Sequence, residues 1–186
     1  MGDPAKKRAT YEDVIAAPEH LVAELIDGVL YTSPRPAAPH ALATSVLGAD
    51  LSSAFHRGRG GPGGWIILDE PELHLRGDVL VPDIAGWRRE RMPELPNAAG
   101  FELAPDWVCE MLSPGNTVHD RQRKMPIYAR EQVRHLWLGD PREQTLETYR
   151  LESGRWSLLA TYAGDALVRA EPFDAVELEL GAMWRR

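Results

Sequence analysis

Two stretches of this chain place a carboxylate inside an otherwise apolar run: Leu80-Val81-Pro82-Asp83-Ile84-Ala85 and Trp107-Val108-Cys109-Glu110-Met111-Leu112. Runs of this kind read as strands buried on both faces. A buried, unpartnered carboxylate is costly, so a chain that does this twice must compensate twice. A divalent cation does so well, because hard cations prefer carboxylate oxygens. A third stretch, Asp120-Arg121-Gln122-Arg123-Lys124 followed by Tyr128, brings a lysine whose charge could serve a phosphate or a water. Glu24, in Ala23-Glu24-Leu25-Ile26, is a further charge in an apolar run, and His40 stands at the start of a long helical pattern.

Each of these residues also has a plain structural reading. Asp83 could cap local backbone at a strand end, and Glu110 could be half of a buried ion pair with an arginine. Asp120 and Lys124, four apart on a helix, could form a surface ion pair worth a few tenths of a kcal/mol. Glu24 could face outward from its strand, and His40 could be a polar first-turn residue. Arg121, Arg123 and Lys124, with Arg88, Arg89 and Arg91, could be a solvated surface as readily as a strip for backbone phosphates.

The elements that must position these groups follow from pattern. Thr10 to Asp13 fits a capping box opening a short helix that Pro18 ends. Asp27-Gly28 between two apolar runs predicts a hairpin. His40 to His56 repeats apolar residues at helical spacing. The five glycines of Gly58 to Gly64 read as a turn, since no Gly-Lys-Ser/Thr ending follows. Trp65–Leu68, Glu72–Leu75 and Val79–Ala85 are predicted strands, as are Trp107–Leu112 and Arg134–Leu138. Within Trp107–Leu112, Val108, Glu110 and Leu112 share one face, and Trp107, Cys109 and Met111 the other. Pro82 lacks an N–H, so the strand carrying Asp83 should bend there. Thr117 to Asp120 is another possible capping box and opens a helix to about Arg130, in which Pro126 predicts a kink or a short first turn. Thr145–Leu151 and Arg155–Tyr162 form a hairpin around Ser153-Gly154, and Val176, Leu178 and Leu180 alternate as an exposed edge strand. The order predicts a mixed α/β domain over residues 10–186 behind a flexible tail, 1–9.

Composition sets limits. At 186 residues the chain fits one domain. No apolar run approaches the roughly 20 residues of a membrane span, and Met1 to Arg8 lacks the apolar stretch of a secretory signal, so a cytoplasmic protein is expected. One cysteine, Cys109, excludes an intrachain disulfide and a cysteine-based zinc site; inside a buried strand it reads as a small core residue. A net charge of −7 argues against a broad basic surface for non-specific nucleic-acid binding. It leaves room for an acidic metal site with a local basic strip.

In order and spacing, Val81-Pro82-Asp83-Ile84, Cys109-Glu110-Met111-Leu112-Ser113-Pro114, and Asp120 with Lys124 and Tyr128 resemble the restriction endonuclease-like family of the PD-(D/E)XK nuclease superfamily, long catalogued as a domain of unknown function. The resemblance extends to Glu24-Leu25-Ile26-Asp27-Gly28, Ser33-Pro34 and His40 upstream, and to Leu136-Trp137-Leu138-Gly139-Asp140-Pro141 downstream. It implies a restriction endonuclease-like core: a central mixed β-sheet flanked by helices, here with extra β-hairpins. It implies a metal-dependent endonuclease acting on nucleic acid, DNA foremost, as a homodimer. By position Asp83 and Glu110 would hold one Mg2+ or Mn2+, and Glu24 is the acid of the first element. Leu112 stands where the usual Glu-x-Lys pattern has lysine, and Lys124 matches a lysine displaced onto the next helix. Gln132 and Gly139 depart from the family's usual glycine and β-branched residue. Arg121, Arg123 and His40 are the candidate phosphate contacts. A nuclease fold that binds nucleic acid or protein without cutting, or a small assembly subunit, is the alternative.

Overall fold

A computed structural model describes residues 8–185. A six-stranded sheet runs through the middle, built from β3 (Trp65–Asp69), β6 (Ile84–Arg88), β7 (Trp107–Met111), β8 (His135–Asp140), β9 (Thr145–Glu152) and β10 (Arg155–Ala163) in the order β10-β9-β8-β7-β6-β3. The β7–β8 pair is parallel and the other pairs are antiparallel, so the sheet is mixed as expected. A four-stranded sheet, β1 (Leu21–Ile26), β2 (Val29–Pro34), β4 (Leu73–Leu75) and β5 (Asp78–Leu80), has the order β2-β1-β5-β4. The hairpin between β1 and β2 turns at Asp27 and Gly28 with φ of 52° and 74°, as an Asp-Gly turn requires.

Helices cover both faces of the large sheet. On one side lie α2 (Ala38–Leu51), continued by a π-helical turn to His56, and α5 (Leu180–Trp184). They close a core of Leu47, Leu51, Phe55, Trp107, Trp137 and Phe173. On the other side, α3 (Thr117–His119) passes through a π-helical turn (Asp120–Lys124) into α4 (Met125–Arg130), and the small sheet packs beside it. Ile127 and Tyr128 there meet Leu73, Leu80, Val108 and Leu136. The short α1 (Tyr11–Ile15) opens as expected, with the Thr10 N–H donating to the Asp13 carboxylate at 2.8 Å.

Several expectations need correction. Val79–Ala85 is not one strand: β5 and β6 belong to different sheets, and the chain crosses between them at Val81-Pro82-Asp83. The lost ladder is repaired by side chains, since Val81 N–H donates to Glu24 Oε1 at 2.8 Å and its carbonyl accepts from Lys124 Nζ at 3.0 Å. Pro126 falls in the first turn of α4, as one of the two expectations had it; its missing N–H removes no bond within that helix, and the wide turn over Asp120–Lys124 lies just before it. The helix is led by Asn116 rather than capped by Thr117. The expected C-terminal edge strand shrinks to β12 (Leu178–Glu179), paired with β11 (Leu167–Val168), because Leu180 already begins α5. Of the expected tail, residues 1–7 lie outside the described residues, while Ala9 N–H donates to Gly28 O at 2.8 Å, tying the chain to the first hairpin.

The two departures from the family pattern have physical counterparts. Gln132 adopts φ 60°, a conformation that favours glycine. Gly139 sits where a Cβ would lie 2.4 Å from Met111 Sδ, so the methionine fills the space that a branched side chain would take.

Candidate active site

The site lies where the large sheet, the small sheet and the α3–α4 helix meet. Register explains why its acids converge. Ile84 pairs with Cys109 in the antiparallel β6–β7 ladder, and continuing it sets Asp83 opposite Glu110. Asp83 is held at the chain crossing: its Oδ2 accepts from the Met111 N–H at 2.6 Å and contacts His40 Nε2 at 3.2 Å. Glu110 is 2% exposed, and its Oε1 accepts from Tyr128 at 2.6 Å and from Lys124 Nζ at 2.8 Å.

Lys124 is the hub. Buried at 3% exposure, its ammonium also lies 3.0 Å from Glu24 Oε1 and 3.9 Å from Asp120 Oδ1. Glu24 is fixed from three sides, by Lys124, the Val81 N–H and His119 Nε2 at 3.0 Å. The π-helical turn matters here, because Asp120 and Lys124 are its first and last residues and both are turned inward. Such turns recur at functional sites.

Charge in this cluster is unbalanced. Four carboxylates, from Glu24, Asp83, Glu110 and Asp120, line one cleft of about 680 Å3 with Lys124, His40 and His119. Burial disfavours ionised Glu24, yet the Lys124 ammonium, with His119 and the Val81 N–H, outweighs it and holds the carboxyl down at about 2. Lys124 is the reverse case: burial opposes its charge, but Glu110 and Glu24 keep it protonated far above the usual lysine range. Glu110 is pushed up, foremost by burial, then by Asp120, Asp83 and Glu24 against the pull of Lys124. Asp120 rises to about 6, through burial first and then Asp83 and Glu24, with Lys124 opposing. Its Oδ2 is buried with no hydrogen-bond partner. His40 is raised: burial lowers it, but Asp83 more than compensates. Its Nδ1 is also without a hydrogen-bond partner, although the Met111 carbonyl lies close enough to favour the cation.

This donor set fits a hard cation in chemistry and in surplus negative charge. Among the described residues no group of three or more His, Cys, Asp or Glu side chains closes around one point. An ion bound here would draw on fewer than three of these side chains, with water and phosphate completing its shell, as Mg2+ commonly does.

Of the residues singled out in the sequence, Asp83, Glu110, Lys124, Glu24 and His40 come together. The surface reading of Asp120–Lys124 is overturned, since both are buried. Glu110 does pair with a cation, and that cation is Lys124 rather than an arginine. His40 is buried with its Nε2 3.2 Å from Asp83 Oδ2, and it lines the same cleft. Arg121 is engaged by Glu147 at 2.9 Å and by the Tyr149 hydroxyl. Arg123 does reach the cleft, lying over the Tyr31 ring at 4.9 Å. Asp120 and His119 were missed as parts of the site. Their signal was the i,i+4 spacing of Asp120 to Lys124, which brings Asp120 wherever Lys124 is drawn.

A mixed sheet flanked by helices, with acids gathered at a break in its ladder, is the architecture that the family resemblance implies. The comparisons agree. Residues 9–181 match the family Uma2, described as "Putative restriction endonuclease", and the chain belongs to that family. It is similar to a solved structure described as "a putative nuclease belonging to DUF820" from Anabaena variabilis ATCC 29413, with a TM-score of 0.75 and 25% identity, covering 94% of this chain and 97% of that one. No curated protein matches the chain. Among the described residues no helix is long and apolar enough to cross a membrane.

Proposed function

We propose that the protein is a metal-dependent endonuclease that hydrolyses phosphodiester bonds in DNA, with Asp83 and Glu110 holding Mg2+ or Mn2+. The observation that carries this reading is the gathering of Asp83 and Glu110 in one cleft, with Lys124 Nζ 2.8 Å from Glu110 although Leu112 stands in the usual lysine position. The ion, when bound, would polarise the phosphodiester and lower the pKa of a water. Lys124 supplies a fixed positive charge for the phosphoryl oxygens. Glu24 and the Val81 carbonyl orient that ammonium, and Tyr128 fixes the rotamer of Glu110. His40 and the Met111 N–H hold Asp83 by its Oδ2 in the lining of the cleft. Burial of Glu24, Glu110, Asp120 and Lys124 weakens the screening of these charges by water.

The test is cleavage of plasmid and of labelled oligonucleotides with Mg2+, with Mn2+ and with EDTA. Cleavage is expected with either ion and not with EDTA, and Asp83→Asn and Glu110→Gln are expected to abolish it. Cleavage that persists in EDTA, or in both variants, would overturn the reading, as would inertness of the parent with every ion.

A further inference from the structure

The cleft is acidic at its floor, so what binds its mouth must be recognised by something other than a field of positive charge. The arginines that sequence alone gathers into a strip are mostly committed. Arg88 lies over the Trp65 ring, Arg91 pairs with Asp106 at 2.8 Å, and Arg121 pairs with Glu147. Arg35, at the mouth, pairs with Glu70 at 2.9 Å. A continuous duplex is normally held by many phosphate contacts, and affinity falls with each one lost. This face offers few.

It offers an aromatic surface instead. Tyr31 pairs directly with Glu24 across the β1–β2 ladder, so its ring is fixed beside the ionic cluster by strand register. The His119 ring lies 4.9 Å from it, and the Arg123 guanidinium covers it at 4.9 Å. Arg123 is exposed, makes no ion pair among the described residues, and directly precedes Lys124 in the chain. Proteins hold single strands by stacking bases on aromatic rings and pairing cations with the adjoining phosphates; here the base would take the ring face that the exposed Arg123 guanidinium covers, and that guanidinium would turn to the phosphate.

We propose that Tyr31 is a stacking platform for an unpaired nucleobase, that Arg123 takes the neighbouring phosphate, and that the substrate is therefore single-stranded or locally unpaired nucleic acid. This deepens the nuclease reading and rests on it. It also removes the reason for expecting a homodimer, since one strand needs one site.

The test is fluorescence anisotropy in EDTA, so that binding is read without metal-dependent cleavage. Probes are a labelled single-stranded DNA oligonucleotide, its RNA counterpart and the matched DNA duplex. Either single strand is expected to bind more tightly than the duplex. Tyr31→Ala should weaken single-strand binding about five- to 150-fold, the range for loss of one stacked base, while Tyr31→Phe binds like the parent. Arg123→Ala, at an exposed position, guards against a folding artefact; it should lower the slope of log K against log salt by about 0.7. Duplex binding as tight as single-strand binding, or an unchanged affinity in Tyr31→Ala, would overturn the proposal. Single-strand binding without cleavage in Mg2+ or Mn2+ would sink the nuclease reading and leave the platform standing.

Discussion

The two faces of β7 are built by opposite means. On one, Trp107, Cys109 and Met111 enter an apolar core in which Trp107 meets Trp137 at 5.2 Å and Phe173 at 4.9 Å, both edge to face. Aromatic pairs in this geometry add to ordinary apolar burial, and the local cost is a Trp107 indole N–H with no acceptor. On the other face Glu110 stands between Val108 and Leu112, surrounded by more acids than Lys124 can neutralise. One strand thus carries a stabilising face and a costly one. The aromatic side fixes the backbone from which the charged side is presented, and a site held on rigid elements keeps its geometry.

This contrast can be broken from either side. Phe173→Ala empties the centre of the aromatic cluster and should cost about 3–5 kcal/mol by chemical denaturation, with cleavage per folded molecule unchanged. Lys124→Met should cost a comparable amount, about 3–5 kcal/mol, because it strips the cation from buried Glu24 and Glu110, and here activity should vanish as well. Equal loss of activity in both would mean that the faces are not separable. Tyr128→Phe removes a hydrogen bond to a buried carboxylate and should cost about 1.5–3 kcal/mol. Glu110→Gln should cost less than about 1 kcal/mol, since Lys124 keeps Glu24 and Asp120; a loss near that of Lys124→Met would show that Glu110 is chiefly a structural partner. A last effect concerns acid. Asp120 titrates near 6 in the folded protein against 3.8 ordinarily, so between those values the folded state binds the extra proton. Its contribution to stability therefore falls as pH rises through this window and stays lower above it. Urea midpoints at pH 4.5 and 7.5 should show Asp120→Asn gaining on the parent at the higher pH; parallel shifts in the two proteins would refute the assignment.

Much of the frame was legible. The alternation along Trp107–Leu112, the Asp27-Gly28 turn and the helix after Thr117 all depend on local chemistry that a sequence displays. Three things were not. The crossing at Val81 looks like a strand because Leu80 to Ala85 is apolar but for Asp83; only the side chains of Glu24 and Lys124, distant in sequence, let the ladder stop there. Asp120 looked solvated because an i,i+4 pair is a surface feature by default, and nothing local reports that a π-helical turn rotates both residues inward. The pairing state of the arginines was equally hidden, since Glu147 and Asp106 reach theirs from other strands and loops.

The grip of Glu24 and Lys124 on the Val81 backbone has a consequence for reading relatives of this chain. Those two side chains bridge the point where one sheet hands the polypeptide to the other, so a descendant that no longer cut anything would still need them to fold. Their presence in a sequence is therefore weak testimony to an active enzyme. Asp83 and Tyr31 are the better witnesses: neither holds the two sheets together through Val81, so a lineage released from chemistry is free to lose them first.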